Sequence, residues 1–188
     1  MGALGFTSNY YKFTLSDVYS YDLSGNKILV YDTKNNDVVN KPIKISTKDI
    51  IYDKDVEKIK VEFLTTTRLQ FNNDIVYHVN DLTPEIFIKV VWRRLITISA
   101  YFCKGSNENI NLNELNYNIK ITEPNIYFQK YKRYSHRQNQ EYELGWLKGT
   151  FFLEGELKNI IPILQVAEQV NIGKNTILGL GRLKLEFI

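Results

Sequence analysis

The chain is poor in the residues that cross-link proteins and hold metals. A single cysteine, Cys103, excludes a disulfide framework and any zinc site built from cysteine. Two histidines, His78 and His136, leave little room for a histidine metal site, and no Asp, Glu and His cluster has ligand spacing. No apolar run approaches the ~18–20 residues of a spanning helix. Met1 to Phe6 lack the charged and apolar blocks of a signal peptide. A cytoplasmic protein with no membrane partner and no cofactor is expected. Neither sign of charge prevails: 24 Lys and Arg face 21 Asp and Glu, a net charge of +3. A nucleic-acid partner would therefore have to bind a local basic patch, because bulk charge is too small.

What is present is a chain of 188 residues, 44% apolar, with 13 tyrosines. That length suffices for one domain or slightly more with a real core. Tyr10 to Tyr21 and Lys27 to Asp32 look extended, with Ser24-Gly25-Asn26 as a hairpin turn between them. Asn35 to Lys41 is polar and reads as loop. Lys58 to Thr65 alternates polar and apolar residues, as a half-buried strand does. Thr83-Pro84-Glu85 is a helix start: an N-cap threonine, proline in the first turn and an acid at the positive end of the dipole. Apolar residues recur at helical spacing to Phe102, and Lys104-Gly105 is a stop signal. Asn118 to Tyr134 reads as a strand broken by Pro124, Trp146 to Leu157 as another, Asn159 to Val170 as a shorter helix and Arg182 to Phe187 as a last strand.

From about residue 56 this order is strand, helix, strand, strand, helix, strand, the ferredoxin-like (RRM-like) β-α-β-β-α-β arrangement of the α+β class. The expected domains are a β-rich N-terminal segment, 1–55, and a ferredoxin-like domain, 56–188, ending in a glycine-rich loop.

Two stretches carry chemistry. The first is Gly173-Lys-Asn-Thr-Ile-Leu-Gly-Leu-Gly-Arg182, where Gly173, Gly179 and Gly181 stand among Lys174, Asn175, Thr176 and Arg182. Glycine admits positive φ and close approach to the main chain, and free N–H groups beside cations seat an anion such as phosphate. The loop follows a helix and precedes a strand, the reverse of a dinucleotide fingerprint, and it lacks the P-loop spacing. The plain alternative is a helix cap and a tight strand entry. The second stretch is Gln129 to Gln138, where Lys130, Lys132, Arg133, His136 and Arg137 interleave with Tyr131 and Tyr134 and meet no acid before Glu141. Cations neutralise phosphates and rings stack on unpaired bases; the plain alternative is a solvated edge. His136 is a candidate general acid or base without a placed partner. His78 is given no role. One of Arg93 and Arg94 is expected to snorkel or to pair with an acid such as Glu85, and the other to face solvent. Glu154 and Glu156 read as solvated.

Several segments together resemble a known family. These are Arg133-Tyr-Ser-His-Arg-Gln138, Leu144-Gly-Trp-Leu-Lys-Gly149, Gly155-Glu-Leu157, Val170 to Gly181, Phe63-Leu-Thr-Thr-Thr-Arg-Leu69, and Leu82 to Gly105 with its Arg93-Arg94 pair. From about residue 10 onward the chain resembles the C-terminal domain of the CRISPR-associated endoribonucleases that cut repeat RNA, the sixth Cas family. The resemblance implies two tandem ferredoxin-like domains in a full-length protein, and metal-free cleavage of pre-CRISPR RNA by attack of a ribose 2′-OH on the adjacent phosphorus. It implies a general base, usually histidine, in the first domain, and an RNA-binding glycine loop in the second. That loop maps onto Gly173, Gly179 and Gly181, with Lys174 and Arg182 beside it. The chain has room for the second domain; Gly2-Ala-Leu-Gly5 and Tyr10 to Leu15 resemble the closing loop and last strand of the first.

Three readings stay open. In the first, the chain is an RNA-binding half that takes CRISPR repeat RNA. In the second, it is an interaction module for other CRISPR effector subunits or a second copy of itself. In the third, it is a nuclease using His136.

Overall fold

The computed structural model describes residues 15–50, 56–72, 74–103, 118–135 and 139–188. They fall into two compact units, Met1–Ile51 and Tyr52–Ile188.

In the first unit, β1 (Val18–Tyr21), β2 (Lys27–Asp32) and β3 (Asp37–Val38) form an antiparallel sheet in chain order. The Asp22 carboxylate accepts from the Ser24 and Asn26 main chain, both at 2.9 Å, and from the Asn26 amide at 3.0 Å. The Asn26 amide leads these contacts in holding that carboxyl below its usual range. The side chain thus writes the turn that Ser24-Gly25-Asn26 announces.

In the second unit, β4 (Lys58–Thr67), α1 (Pro84–Phe102), β7 (Ile119–Ser135), β8 (Gln140–Gly155), α2 (Ile161–Val170) and β9 (Leu183–Phe187) follow in chain order, and a small hairpin of β5 (Gln70–Phe71) and β6 (Asp74–Ile75) precedes α1. The main sheet is antiparallel with order β7-β8-β4-β9. The ferredoxin-like expectation therefore holds.

The alternation in β4 sorts its side chains. Ile59, Val61 and Phe63 are buried with Phe151 and Leu153 of β8, Leu183 and Leu185 of β9, and the inner faces of both helices. Phe63, Phe87 and Phe151 form its centre: the Phe87 and Phe151 rings meet edge to face with centroids 5.1 Å apart, and Phe63 and Phe151 at 5.6 Å. Edge-to-face geometry sets positive ring edges on negative ring faces and adds to the gain from burial. Thr83 caps α1, its hydroxyl accepting from the Ile86 N–H at 3.2 Å, with Pro84 at the first position. The Lys104-Gly105 stop lies outside the described residues; the last described helical residue is Phe102. Pro162 sits in the first turn of α2, where a missing N–H costs nothing.

Two strands differ from expectation. Pro124 does not break β7; Glu123, at φ 49°, and Pro124 form a bulge between Thr122 and Asn125, and pairing resumes beyond it. β8 begins at Gln140, not Trp146, and pairs with β7 out to Ser135↔Gln140. No helix among the described residues is long and apolar enough to cross a membrane.

Replacing Phe87 by Ala should remove about 3–5 kcal/mol of stability, as cavities of that size do in a core that cannot collapse. Urea unfolding followed by far-UV circular dichroism would measure it.

Candidate nucleic-acid interface

The glycine loop is stitched to the end of β4. The Ile172 N–H donates to the Gly181 carbonyl at 2.8 Å, closing the loop on itself. The Lys174 N–H donates to the Arg68 carbonyl at 3.0 Å, and the Gly181 N–H to the Thr66 carbonyl at 3.1 Å. The Arg182 N–H reaches the Thr65 hydroxyl at 2.9 Å, while its carbonyl accepts from the Leu64 N–H at 2.9 Å. Two glycines make this approach possible. A Cβ on Gly173 (φ 76°) would stand 2.3 Å from the Arg68 carbonyl oxygen, and one on Gly181 (φ 78°) 1.9 Å from that of Ile172. Gly179 also has positive φ, 79°, yet its Cβ would meet nothing. Asn175 is left-handed at φ 61° and opens a single helical turn, Thr176–Leu178. The side chains of Lys174 and Arg182 are exposed, and among the described residues neither forms an ion pair. Ile177 at the tip is 93% exposed.

Arg94 secures the entry to the loop. Its guanidinium donates to the Val170 carbonyl at 3.3 Å, a cation on the negative end of α2. Arg93 donates to the Gln70 carbonyl. Both arginines therefore hold main-chain oxygens. Glu85, expected to pair with one of them, is taken by Lys89 one turn along α1.

The basic segment lies on the β7–β8 hairpin. Lys130 and Lys132 alternate with Tyr131 and Arg133 along β7, so the two lysines share one face of the strand. The long hairpin brings an acid to one of them: Glu141 pairs with Lys132 at 3.1 Å. The absence of nearby acid in the sequence thus does not persist in space. Arg133 takes its place in β7; His136 and Arg137 lie outside the described residues.

Beside the hairpin lies a cavity of about 440 Å³ lined by Tyr77, His78, Phe128, Lys130, Gly145 and Trp146. Arg68 stacks its guanidinium 4.3 Å from the centroid of Trp146. Its main-chain carbonyl is the one that pins Lys174. Lys130, the cavity, Arg68 and Lys174 therefore form one connected line from hairpin to loop. Sequence reasoning gave His78 no role and did not single out Tyr77, Phe128, Arg68 or Trp146 for binding. Only the fold brings these distant positions together.

The open face of the sheet is different. Lys58 bridges Glu123 at 2.6 Å and Glu154 at 2.9 Å, and Lys60 approaches Glu186 at 3.4 Å. Lys58, then the Thr122 hydroxyl at 2.8 Å, hold the Glu154 carboxyl below its ordinary range. Glu154 is thus engaged rather than simply solvated; Glu156 lies beyond β8 and is exposed. Phe152 is covered by the Lys58 ammonium, 4.2 Å from its ring centroid. Ion pairs thus occupy this face around Lys58 and Lys60, and its exposed ring, Tyr127, lies further along β7 toward the hairpin.

The fold defines the class. A solved partial Cas6-RT-Cas1–Cas2 complex superposes with a TM-score of 0.54 at 20% identity, over 72% of this chain and 23% of the matched one. Thermus thermophilus Cas6 superposes with 0.52 at 13% identity, over 76% of this chain and 58% of that one. A Cas6 product complex gives 0.52 at 13% identity, over 76% and 56%. At such identities these likenesses show the fold alone. No match is found among curated proteins. The family model of the CRISPR-associated endoribonuclease Cas6 matches residues 61–183, well over half of the chain. The chain belongs to the Cas6 family. It spans well under two thirds of the length of these solved relatives.

The loop geometry separates its glycines. Gly181→Ala should cost more than about 2 kcal/mol, because left-handed strain adds to displacement of the Ile172 carbonyl, whereas Gly179→Ala should cost only about 1–2 kcal/mol from φ alone. Parallel denaturant titrations of the two variants would show the difference.

Proposed function

We infer that this chain supplies the RNA-binding C-terminal part of a CRISPR RNA-processing endoribonuclease, with residues 56–188 as the binding domain and 1–55 as the end of a preceding one. The observation that carries this reading is the connected line of Lys130, the aromatic cavity, Arg68 and Lys174, with Arg182 beside it. It suits a strand of phosphates and unpaired bases, whereas the sheet face is spent on internal ion pairs. Family membership and the likeness to a structure named as a Cas6 product complex support CRISPR repeat RNA as the ligand.

In this reading Lys174 and Arg182 contact phosphates, and Gly173, Asn175, Thr176, Gly179 and Gly181 give the RNA-contacting loop the shape that presents them. Lys130, Lys132, Arg133, His136 and Arg137 of the hairpin extend the basic track. Cleavage needs no metal: the ribose 2′-OH loses its proton to a general base and attacks the adjacent phosphorus, and the 5′ oxygen of the next nucleotide leaves. The base comes from the preceding domain. This domain's contribution is to hold the scissile phosphate where that base acts, since positioning is a large share of such a rate enhancement.

The test is binding of a CRISPR repeat RNA, measured by fluorescence anisotropy over a range of salt concentrations. Lys174→Ala with Arg182→Ala should weaken binding at least about tenfold and flatten the dependence of log K on log salt by about 1.4, two phosphate contacts to a single strand. Unchanged affinity in a folded double variant would remove the loop from the interface. Absence of salt-dependent RNA binding by the parent chain would favour a role as an interaction module among CRISPR proteins.

A further inference from the structure

The cavity beside the hairpin has the makings of a base-recognition pocket. Three of its lining residues are aromatic. The Tyr77 and Phe128 rings lie 5.8 Å apart at 47°, and Tyr77 is 46% exposed, leaving much of its ring open to solvent. Gly145 is what lets Phe128 occupy its position: a Cβ there would stand 2.5 Å from the ring. Trp146 is 7% exposed, and its buried indole N–H has no acceptor among the described residues. The buried Nε of Arg68, stacked on that indole, likewise has no hydrogen-bond partner among them. His78 and Lys130 complete the lining.

Each part constrains the ligand. An inorganic phosphate would use the cations but has nothing to offer three rings. An aliphatic group would fill the apolar walls but leave the His78 imidazole facing nothing polar. A nucleobase satisfies both: it has two π-faces to stack and a rim of ring nitrogens and carbonyl oxygens to accept hydrogen bonds. The volume, about 440 Å³, falls within the range of small-molecule sites and accommodates one planar heterocycle with its sugar at the mouth. The pocket is joined to the glycine loop through Arg68, which stacks on Trp146 and whose carbonyl accepts from the Lys174 N–H.

We propose that this cavity receives one unpaired nucleobase of the bound RNA, splayed from the strand and stacked on Tyr77, with His78 and Lys130 at its edge. The proposal rests on the RNA-binding reading above and adds to it a base-specific site distinct from the phosphate track. It predicts that one nucleotide of the RNA is read by its base, while its neighbours are read by their phosphates.

Abasic scanning tests it. A CRISPR repeat RNA is prepared as a series, each member lacking one base, and binding to the full chain is measured for the parent, Tyr77→Ala and Tyr77→Phe. For the parent, one abasic position should weaken binding about tenfold, the scale of one lost base–aromatic stack. Tyr77→Ala should weaken binding of the intact RNA by a similar factor, lose nothing further at that abasic position and keep the parent's salt slope. Tyr77→Phe, which keeps the ring, should bind like the parent. In the parent protein the indole N–H resonance of Trp146 should shift on adding RNA while that of Trp92 stays in place; this readout does not depend on any variant folding. Independent losses from Tyr77→Ala and from every abasic position, or an unmoved Trp146 resonance under saturating RNA, would overturn the pocket while leaving the phosphate track intact. Failure of the parent chain to bind any RNA of the series would overturn the underlying reading and the pocket with it.

Discussion

The contact on which the interface depends is the approach of two glycines to main-chain carbonyl oxygens. Gly173 lies against Arg68 and Gly181 against Ile172, each so near that a methyl group could not be inserted. Because of that approach the segment after α2 is fixed by backbone hydrogen bonds to Thr66 and Arg68 at the end of β4. The same stitching fixes the main chain at Arg68, whose guanidinium stacks on Trp146, a residue that lines the cavity. A looser loop would leave Lys174 and Arg182 on a segment that must be ordered at the moment of binding, at an entropic cost. Here most of that ordering accompanies folding, and the cations are presented on a frame already set.

Electrostatics assigns the rest of the surface. The open face of the sheet has lysines, but Glu123, Glu154 and Glu186 claim them. On the hairpin, Glu141 partly offsets Lys132. With a net charge of only +3, the location of uncompensated cations matters more than their number. Lys174 and Arg182 are two exposed cations with no ion pair among the described residues, and both lie on the loop that the glycines pin.

Much of the fold was legible because it rests on local rules. The alternation of Ile59, Val61 and Phe63 gave β4, and Thr83-Pro84-Glu85 gave the start of α1, where Thr83 does cap the helix. The order of elements gave the sheet topology. What was not legible depends on pairing between distant segments. Gln140 to Gly145 alternates only over Glu141 to Leu144, and its membership of the strand is settled by its register against β7. Arg93 and Arg94 follow Glu85 on the same helix, yet their partners are the carbonyls of Gln70 and Val170, which no pattern of side chains announces. The glycine loop was visible as composition, but which glycines are required by contact and which by conformation appears only once Arg68 and Ile172 are placed. The cavity had no sequence signal at all, since Tyr77, Phe128 and Trp146 lie on three separate segments.

The most direct measurement of the central claim is a map of where RNA touches the protein. Photo-cross-linking of a 4-thiouridine-containing repeat RNA to the full chain, followed by mass spectrometry of the joined peptides, reports contact without altering a single residue. The account predicts cross-linked peptides from the loop at 172–182 and from the hairpin around 127–134. Cross-links confined to the outer surfaces of α1 and α2, or to the open sheet face around Lys60 and Phe152, would contradict it.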